Sequence, residues 1–175
     1  MRPDIELNDA AVVAALRRLR ELTGGQRTGL MQAIARYMLT AAELRFRRQV
    51  GPDGAAWVRS RRAQREGGQT LRDTGRLRAS LVWHASPREA VVGTNVMYAP
   101  VHQFGINEVV SVRPHRRQVR TSNRARGTVA VKVVPVRGHT RRMFFPARPF
   151  LGFSQGDRQE ILDILRAGIT DLLRK

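Results

Sequence analysis

Hydrophobic positions follow a helical period at both ends of the chain and a strand-like pattern between them. Apolar side chains recur every three or four residues over Val12–Leu22 and again over Leu30–Leu44. This spacing predicts two amphipathic helices, separated by a break at Gly24-Gly25. A similar stripe over Ile161–Leu172 predicts a C-terminal helix that packs on the rest of the fold.

Capping residues fit the starts of these helices. Asn8 and Thr28 precede the first two stripes, and Ser154 lies three residues before Asp157, which approximates a capping box. Arginines between positions 45 and 48 fall in the last turn of the second helix, where cations complement the unpaired carbonyl groups.

The stretch from Val91 to Gly105 is the centre of the predicted sheet region. Leu81–Ala85 and Glu89–Gly93 read as an antiparallel hairpin, because each is apolar and Ser86-Pro87-Arg88 forms a turn between them. Tyr98–Phe104 then fits one helical turn, with Pro100 near its first position and Gly105 just past its end. This turn predicts a compact aromatic knob that faces either the core or a partner.

Two further segments come before the hairpin in the sequence. Residues 51–72 are polar and glycine-rich, which predicts a long surface loop with one helical turn, pinned to the fold by burial of Trp57. A short helical turn should follow over Arg76–Ser80, with Thr74 as its cap and Leu77 pointing inward.

Between Ile106 and Phe145 the pattern is strand, basic loop and strand. Val109–Val112 and Thr128–Val134 have strand character, and Met143–Pro146 reads as a final strand. The segment Arg113–Arg126 between the first two has few apolar residues and no periodicity, so we expect a loop that needs a partner to become ordered.

The order of predicted helices and strands indicates an α+β protein, and the length predicts one domain over residues 1–175. An antiparallel sheet over 73–153 is packed by helices of residues 1–50 and by a C-terminal helix over 154–175, with a long basic loop or hairpin. The absence of cysteine favours a reducing compartment. No apolar run approaches 18 residues, and the N-terminus lacks a signal-peptide core, so we expect neither membrane insertion nor secretion.

The net charge of +18 is the strongest feature of the composition. The chain has 32 Lys and Arg against 14 Asp and Glu, and all but Lys132 and Lys175 are arginines. Arginine suits contacts with phosphates and with carboxylates at subunit interfaces. Arginine-rich codon usage in a GC-rich genome explains the same composition without any function.

Catalytic constellations are missing from the sequence. The histidines have no i,i+4 pair and no acidic neighbour at metal-ligand spacing; they are His84, His102, His115 and His139. Most acids fall at helix starts or on helix faces, and none of the phosphate-binding or nucleophile motifs occurs. We therefore expect a protein that is not an enzyme and binds no cofactor or metal.

Four stretches in one order carry a family resemblance: Pro52–Trp57, Leu71–Leu81, Val92–Gly105 and Pro146–Phe153. The chain resembles the phage virion morphogenesis family, the tail completion proteins of contractile and long-tailed phages, from about Arg47 to the C-terminus. It is more distantly similar to head-tail connector proteins that share the T-G-x-L, Y-A-x-x-x-x-x-G and R-P-F-L signals.

The resemblance implies a homo-oligomeric ring at the neck of the virion, assembled in the host cytoplasm. Its partners would be copies of itself, the tail tube, head-neck proteins and genomic DNA that passes without being read for sequence. Aromatic and arginine side chains are common interface anchors. The expected subunit contacts are Tyr98, His102, Phe104, Arg148 and Phe150, for each of which a place in the core is the alternative.

The arginines of the basic loop are expected to face the lumen or a neighbouring ring; they are Arg113, Arg116, Arg117, Arg120, Arg124 and Arg126. Two other functions remain open from the sequence. A free, sequence-independent nucleic-acid-binding protein would show steeply salt-dependent binding. A nuclease would require a metal-binding set that the sequence does not offer.

Overall fold

The structure is a computed structural model that describes residues 22–123 and 128–173. It confirms the α+β class, and its helices and strands fall in two compact units. One unit holds the described residues up to Phe104 and from Ala147 onward, and the other is Gly105–Pro146. The expectation of one domain concerns independent folding and stays a prediction. In the described part of the chain, none of the helices has the length and apolar character to cross a bilayer.

The first unit holds five helices and one strand pair among its described residues. The helices are α1 Gly24–Arg48, α2 Arg61–Glu66, α3 Arg76–Ala79, α4 Ala99–Phe104 and α5 Gln155–Leu173. The strands β1 Leu81–Ala85 and β2 Ala90–Thr94 pair antiparallel, so the predicted hairpin is confirmed.

Helix α1 begins earlier than the glycine pair suggested. Thr23 caps it by a reciprocal capping box with Gln26, and Gly24 is its first residue. The break predicted at Gly24-Gly25 and the cap predicted at Thr28 were wrong, because glycine costs a helix only about 1 kcal/mol of backbone entropy per residue and the cap at Thr23 stabilises the first turn. Thr28 lies inside the helix and donates its hydroxyl to the Gly24 carbonyl. The helix predicted from Asn8 lies outside the described residues.

The core of the first unit is built on aromatic rings at the end of α1. Phe46 has its ring centroid 5.5 Å from that of Trp57 and 5.3 Å from that of Phe150. Trp57 is buried, and its indole Nε1 donates to the Pro149 carbonyl at 3.0 Å. The loop is therefore pinned by Trp57 as predicted, and the indole holds the Pro149 segment against the core.

Helix α5 is joined to α1 by a buried ion pair. The predicted capping box is confirmed: Asp157 accepts from the Ser154 backbone N–H at 2.7 Å, and its own N–H donates to the Ser154 hydroxyl. The same carboxylate pairs with Arg45 and accepts from the Tyr37 hydroxyl. Burial, followed by this hydrogen bond, raises the pKa of Tyr37 to about 12. Arg45 is thus a tertiary contact rather than only a complement to the helix end.

Helices α1 and α5 pack so closely that Gly168 on α5 leaves no room for a side chain. A Cβ on Gly168 would clash with Leu30 Cδ2, and Leu30 is buried with Leu22 and Ile169. We expect Gly168→Ala to lower the free energy of unfolding by about 1–3 kcal/mol, since Leu30 must leave its rotamer.

The matched control is Gly156→Ala on the same helix, where a Cβ would meet only the Ser154 hydroxyl, at 3.8 Å. This change should be neutral or stabilising by up to about 1 kcal/mol. Denaturant unfolding of the two variants measures the difference. Equal stabilities would show that α1 and α5 do not pack as described.

The second unit is a long antiparallel ribbon. Strand β3 Ile106–Val112 pairs with β6 His139–Phe145, and β4 His115–Asn123 pairs with β5 Thr128–Val136. The loop predicted over Arg113–Arg126 was therefore wrong for β4. Strand β4 is polar and basic, but its partner β5 is rich in valine, and cross-strand pairing supplies the order that β4 lacks alone.

The β3–β6 and β4–β5 pairings are separated by a short interruption, and the strands keep the same register on both sides of it. Val112 lies opposite His139 and His115 opposite Val136, so two residues on each strand are left between the two pairings. At this point a Cβ on Gly138 would lie 3.2 Å from Pro114 Cδ, so the two strands approach closely there. We call Gly105–Pro146 the basic hairpin.

Candidate functional site

Helix α4 and the segment after Pro146 form the predicted aromatic knob and its support. Pro100 is the second residue of α4 and Gly105 follows it with φ of 74°, as the sequence predicted. The Arg148 backbone N–H donates to the His102 carbonyl at 2.7 Å. The last turn of α4 is therefore joined to the Arg148-Pro149-Phe150 segment by its backbone.

Gln103 is the main contact between these segments and was missed by the sequence analysis. Its amide Nε2 donates to the Leu151 carbonyl at 2.8 Å, and its Oε1 accepts from the backbone N–H groups of Phe150 and Leu151 at 3.0 and 3.1 Å. One side chain thus satisfies three backbone groups of an irregular segment. A glutamine between two aromatic-knob residues gives no local signal for this role.

Two of the five predicted subunit contacts lie in the interior of their own chain. Phe150 is 1% exposed in the aromatic core, and Arg148 is 5% exposed. Arg148 Nε donates to the Val58 carbonyl at 2.7 Å. Both side chains hold the segment in place, so any subunit contact made by this segment depends on them indirectly.

The other three predicted contacts lie on α4 or next to it. Phe104 is 77% exposed and Tyr98 is 41% exposed, while His102 is half-buried with its ring 5.7 Å from that of Tyr98. Met97, at 95%, is also exposed and was not predicted. We call Met97, Tyr98 and Phe104 the α4 knob. Their role in subunit contact stays a prediction.

A cavity of about 310 Å³ lies beside the knob within the first unit. Its lining combines apolar surface with three arginines, a histidine and one acid; the lining residues are Ser60, Arg62, Leu71, Asp73, Thr74, Gly75, Arg76, Leu77, Tyr98, His102 and Arg148. Desolvation, and then the charge of Arg148, lower the pKa of His102. Desolvation also lowers the pKa of Arg148. The cavity therefore combines cationic side chains with restricted solvent.

The basic hairpin presents its arginines to solvent. The side chains of Arg113, Arg116, Arg117 and Arg120 are exposed, whereas Arg124 and Arg126 lie outside the described residues. Ten of the 32 Lys and Arg fall within Gly105–Pro146, with Glu108 as its one acid. Exposed valines stand opposite the cations, as where Val131 faces Arg120. This surface can attract anions without a geometry that reads sequence.

Metal-binding side chains are not gathered in the described part of the chain. No group of three or more His, Asp or Glu residues there could hold an ion. His115 and His139 instead each contact a backbone carbonyl two residues earlier through Nδ1 at 3.0 Å, one on either side of the hairpin interruption.

These features define a small α+β protein with an exposed aromatic knob and a basic β-hairpin, and sequence comparison gives its class. The chain matches the phage virion morphogenesis family over residues 7–170 and belongs to that family. It is similar to the Mu-like prophage FluMu G protein 2 of Haemophilus influenzae, with 32% identity over 161 residues, or 91% of each chain. No solved structure matches it.

Proposed function

We propose that this phage virion morphogenesis protein forms a homo-oligomeric ring at the head-tail junction. The ring completes the tail, allows it to join the head and surrounds the path of the genomic DNA. Its partners are copies of itself, the tail tube and head-neck proteins, and its role is structural rather than enzymatic. Family membership supports the virion role.

The basic hairpin carries this proposal. None of its side chains over residues 105–120 and 130–146 is buried, and each of its described strands pairs with only one other. A two-stranded hairpin is marginally stable in water unless a face is covered. Because half-buried and exposed valines lie opposite cations across its strand pairs, neighbouring subunits of a ring are suitable covering surfaces.

The α4 knob is the proposed contact between subunits. A ring requires two different patches of each subunit that meet head to tail. Phe104 and Tyr98 offer exposed aromatic area on a turn fixed by Gln103, and such rigid aromatic anchors dominate interface energies. Arg148 and Phe150 act here as supports of the anchor.

The test is the assembly state of the full chain, measured by sedimentation and by electron microscopy of negatively stained particles. The wild-type protein should form closed rings, and Phe104→Asp should weaken their association at least tenfold. Val82→Asp is the matched control, since Val82 is 63% exposed on β1. A wild-type protein that stays monomeric at all concentrations, or virions that lack it, would refute the proposal.

The hairpin arginines are proposed to face DNA in the lumen. Replacing Arg116, Arg117 and Arg120 together by glutamine should reduce the salt dependence of duplex binding. Each lost phosphate contact lowers the slope of log Kobs against log[salt] by about 0.9, so the slope should fall by up to roughly 3.

Fluorescence anisotropy with a duplex of arbitrary sequence measures this slope. The control replaces three exposed arginines of the first unit, Arg61, Arg65 and Arg158, by glutamine. An equal loss in both variants would mean that net charge alone, and not the hairpin, attracts DNA. The charge of the hairpin also supports a second function, sequence-independent nucleic-acid binding by the free protein, which requires tight binding by the monomer.

A further inference from the structure

Arg148 is a buried cation without a counter-charge in the described part of the chain. A guanidinium has five N–H donors. Only Nε–H has an acceptor there, the Val58 carbonyl, and none of the acids lies within ion-pair distance. Buried charges in proteins are normally paired, because removal from water is costly. Among the described residues, Arg148 therefore has one backbone acceptor and no acidic partner.

The cavity gives such a partner access to Arg148. Arg148 and His102 both line it, with Arg62 and Arg76 also in its wall. Asp73 and Glu66 each lie within ion-pair distance of Arg62, at 3.6 and 3.8 Å, so they offset that arginine and leave Arg76 and Arg148 without an ion-pair partner among the described residues. The cavity thus carries an excess of positive charge around a buried guanidinium.

His102 adds a hydrogen-bond donor to the same wall. Its Nδ1 is buried and has no hydrogen-bond partner. A buried N–H without an acceptor is costly, so the ring proton belongs on Nε2, the nitrogen that remains available at the cavity. Arg148 and His102 then present N–H groups from two segments that the bond between the Arg148 backbone N–H and the His102 carbonyl holds together.

We propose that this cavity is a receptor for the carboxylate of an acidic side chain from a second copy of the chain. The lining fits a carboxylate better than a phosphate. Leu71, Leu77 and Tyr98 offer apolar area to the methylene groups of Asp or Glu, and Asp73 at the wall opposes a ligand of higher charge. The planar guanidinium matches a carboxylate by two parallel hydrogen bonds.

The choice of a second copy rests on the proposed ring. A head-to-tail interface places receptor and ligand on the same chain, at different patches. Glu89 in the β1–β2 turn and Glu108 on β3 are exposed carboxylates without an ion-pair partner among the described residues. The cavity lies beside the α4 knob, so one contact would use both.

The first experiment tests the receptor on the wild-type full chain and does not depend on any variant folding. NMR follows the Arg148 Nε–H and His102 imidazole signals while sodium propionate or inorganic phosphate is added at constant ionic strength. Propionate should shift both signals saturably and raise the pKa of His102, because a carboxylate offsets the charge of Arg148. Arg65→Gln, outside the cavity, should leave the response unchanged. The absence of a saturable response to propionate, or a stronger response to phosphate, would refute the proposal that the cavity binds a carboxylate.

The second experiment tests the source of the carboxylate. Each acid of the chain other than Asp73 and Asp157 is replaced by its amide in turn, in the wild-type and Arg148→Lys backgrounds, and association is measured by sedimentation. Replacement of one of these acids should lower association at least tenfold in the wild-type background and much less in the Arg148→Lys background. If every acid substitution changed association equally in both backgrounds, a second copy of the chain would not be the source of the carboxylate. A monomeric wild type would refute the ring. The propionate titration would still show whether the cavity binds a carboxylate.

Discussion

Replacing Asp157 with asparagine is expected to lower the free energy of unfolding by about 3–5 kcal/mol. The change leaves the buried Arg45 cation without its counter-charge and weakens the cap of α5 and the hydrogen bond from Tyr37. Urea unfolding followed by the fluorescence of Trp57 and Trp83 measures the loss. Asp163→Asn is the control, because its pair with Arg166 is half exposed and contributes at most about 1 kcal/mol.

The same residue predicts a pH dependence. Burial raises the pKa of Asp157, but hydrogen bonds from Ser154 and Tyr37 and the charge of Arg45 together hold it below its ordinary value. A depressed pKa contributes stability that is fully present above the unfolded value of about 3.9 and is lost as the pH falls through the folded value. Acidification below about pH 4 should therefore reduce the difference in free energy of unfolding between the wild type and Asp157→Asn. A constant gap from pH 7 to the acid transition would contradict this origin.

Truncating Phe150 to alanine is expected to destabilise the monomer by about 3–5 kcal/mol. Its ring is 1% exposed and packs against Phe46, so removal leaves a cavity among aromatic neighbours. The control is Phe153→Ala, where the ring is half exposed and the loss should stay below about 1 kcal/mol.

This comparison separates a core role from an interface role. If Phe150 were an exposed anchor between subunits, its truncation would weaken assembly and leave the denaturation midpoint of the monomer unchanged. A core role shifts that midpoint to lower denaturant at every protein concentration. Phe150→Leu should recover most of the loss, because a similar volume is tolerated in the core.

Several elements could be predicted because their cause is local. The α5 cap needs only Ser154 and Asp157 three residues apart, and the β1–β2 hairpin needs apolar runs on both sides of a turn. The turn at α4 follows from Pro100 and Gly105, whose backbone preferences do not depend on distant residues. Trp57 was predicted to be buried because so large a ring rarely stays in water in a polar loop.

Other features were missed because they depend on residues far apart in the sequence. Strand β4 is polar by itself and becomes ordered only because β5 reaches it in register. Gly24 and Gly25 resemble a break, yet Thr23 caps a helix through them. Gln103 has an ordinary position on α4, and only the approach of the Leu151 segment reveals its three hydrogen bonds.

The sequence by itself determined the charge, the family and those elements whose cause is local, since periodicity, caps and motifs act over a few residues. Only the tertiary structure decided the use of each arginine. Arg45 and Arg148 look like the other arginines in composition, but one meets Asp157, 112 residues away, and the other has no acid beside it among the described residues. A guanidinium has one intrinsic chemistry, and burial and neighbours decide whether it forms an internal ion pair, lines a cavity or stays solvated.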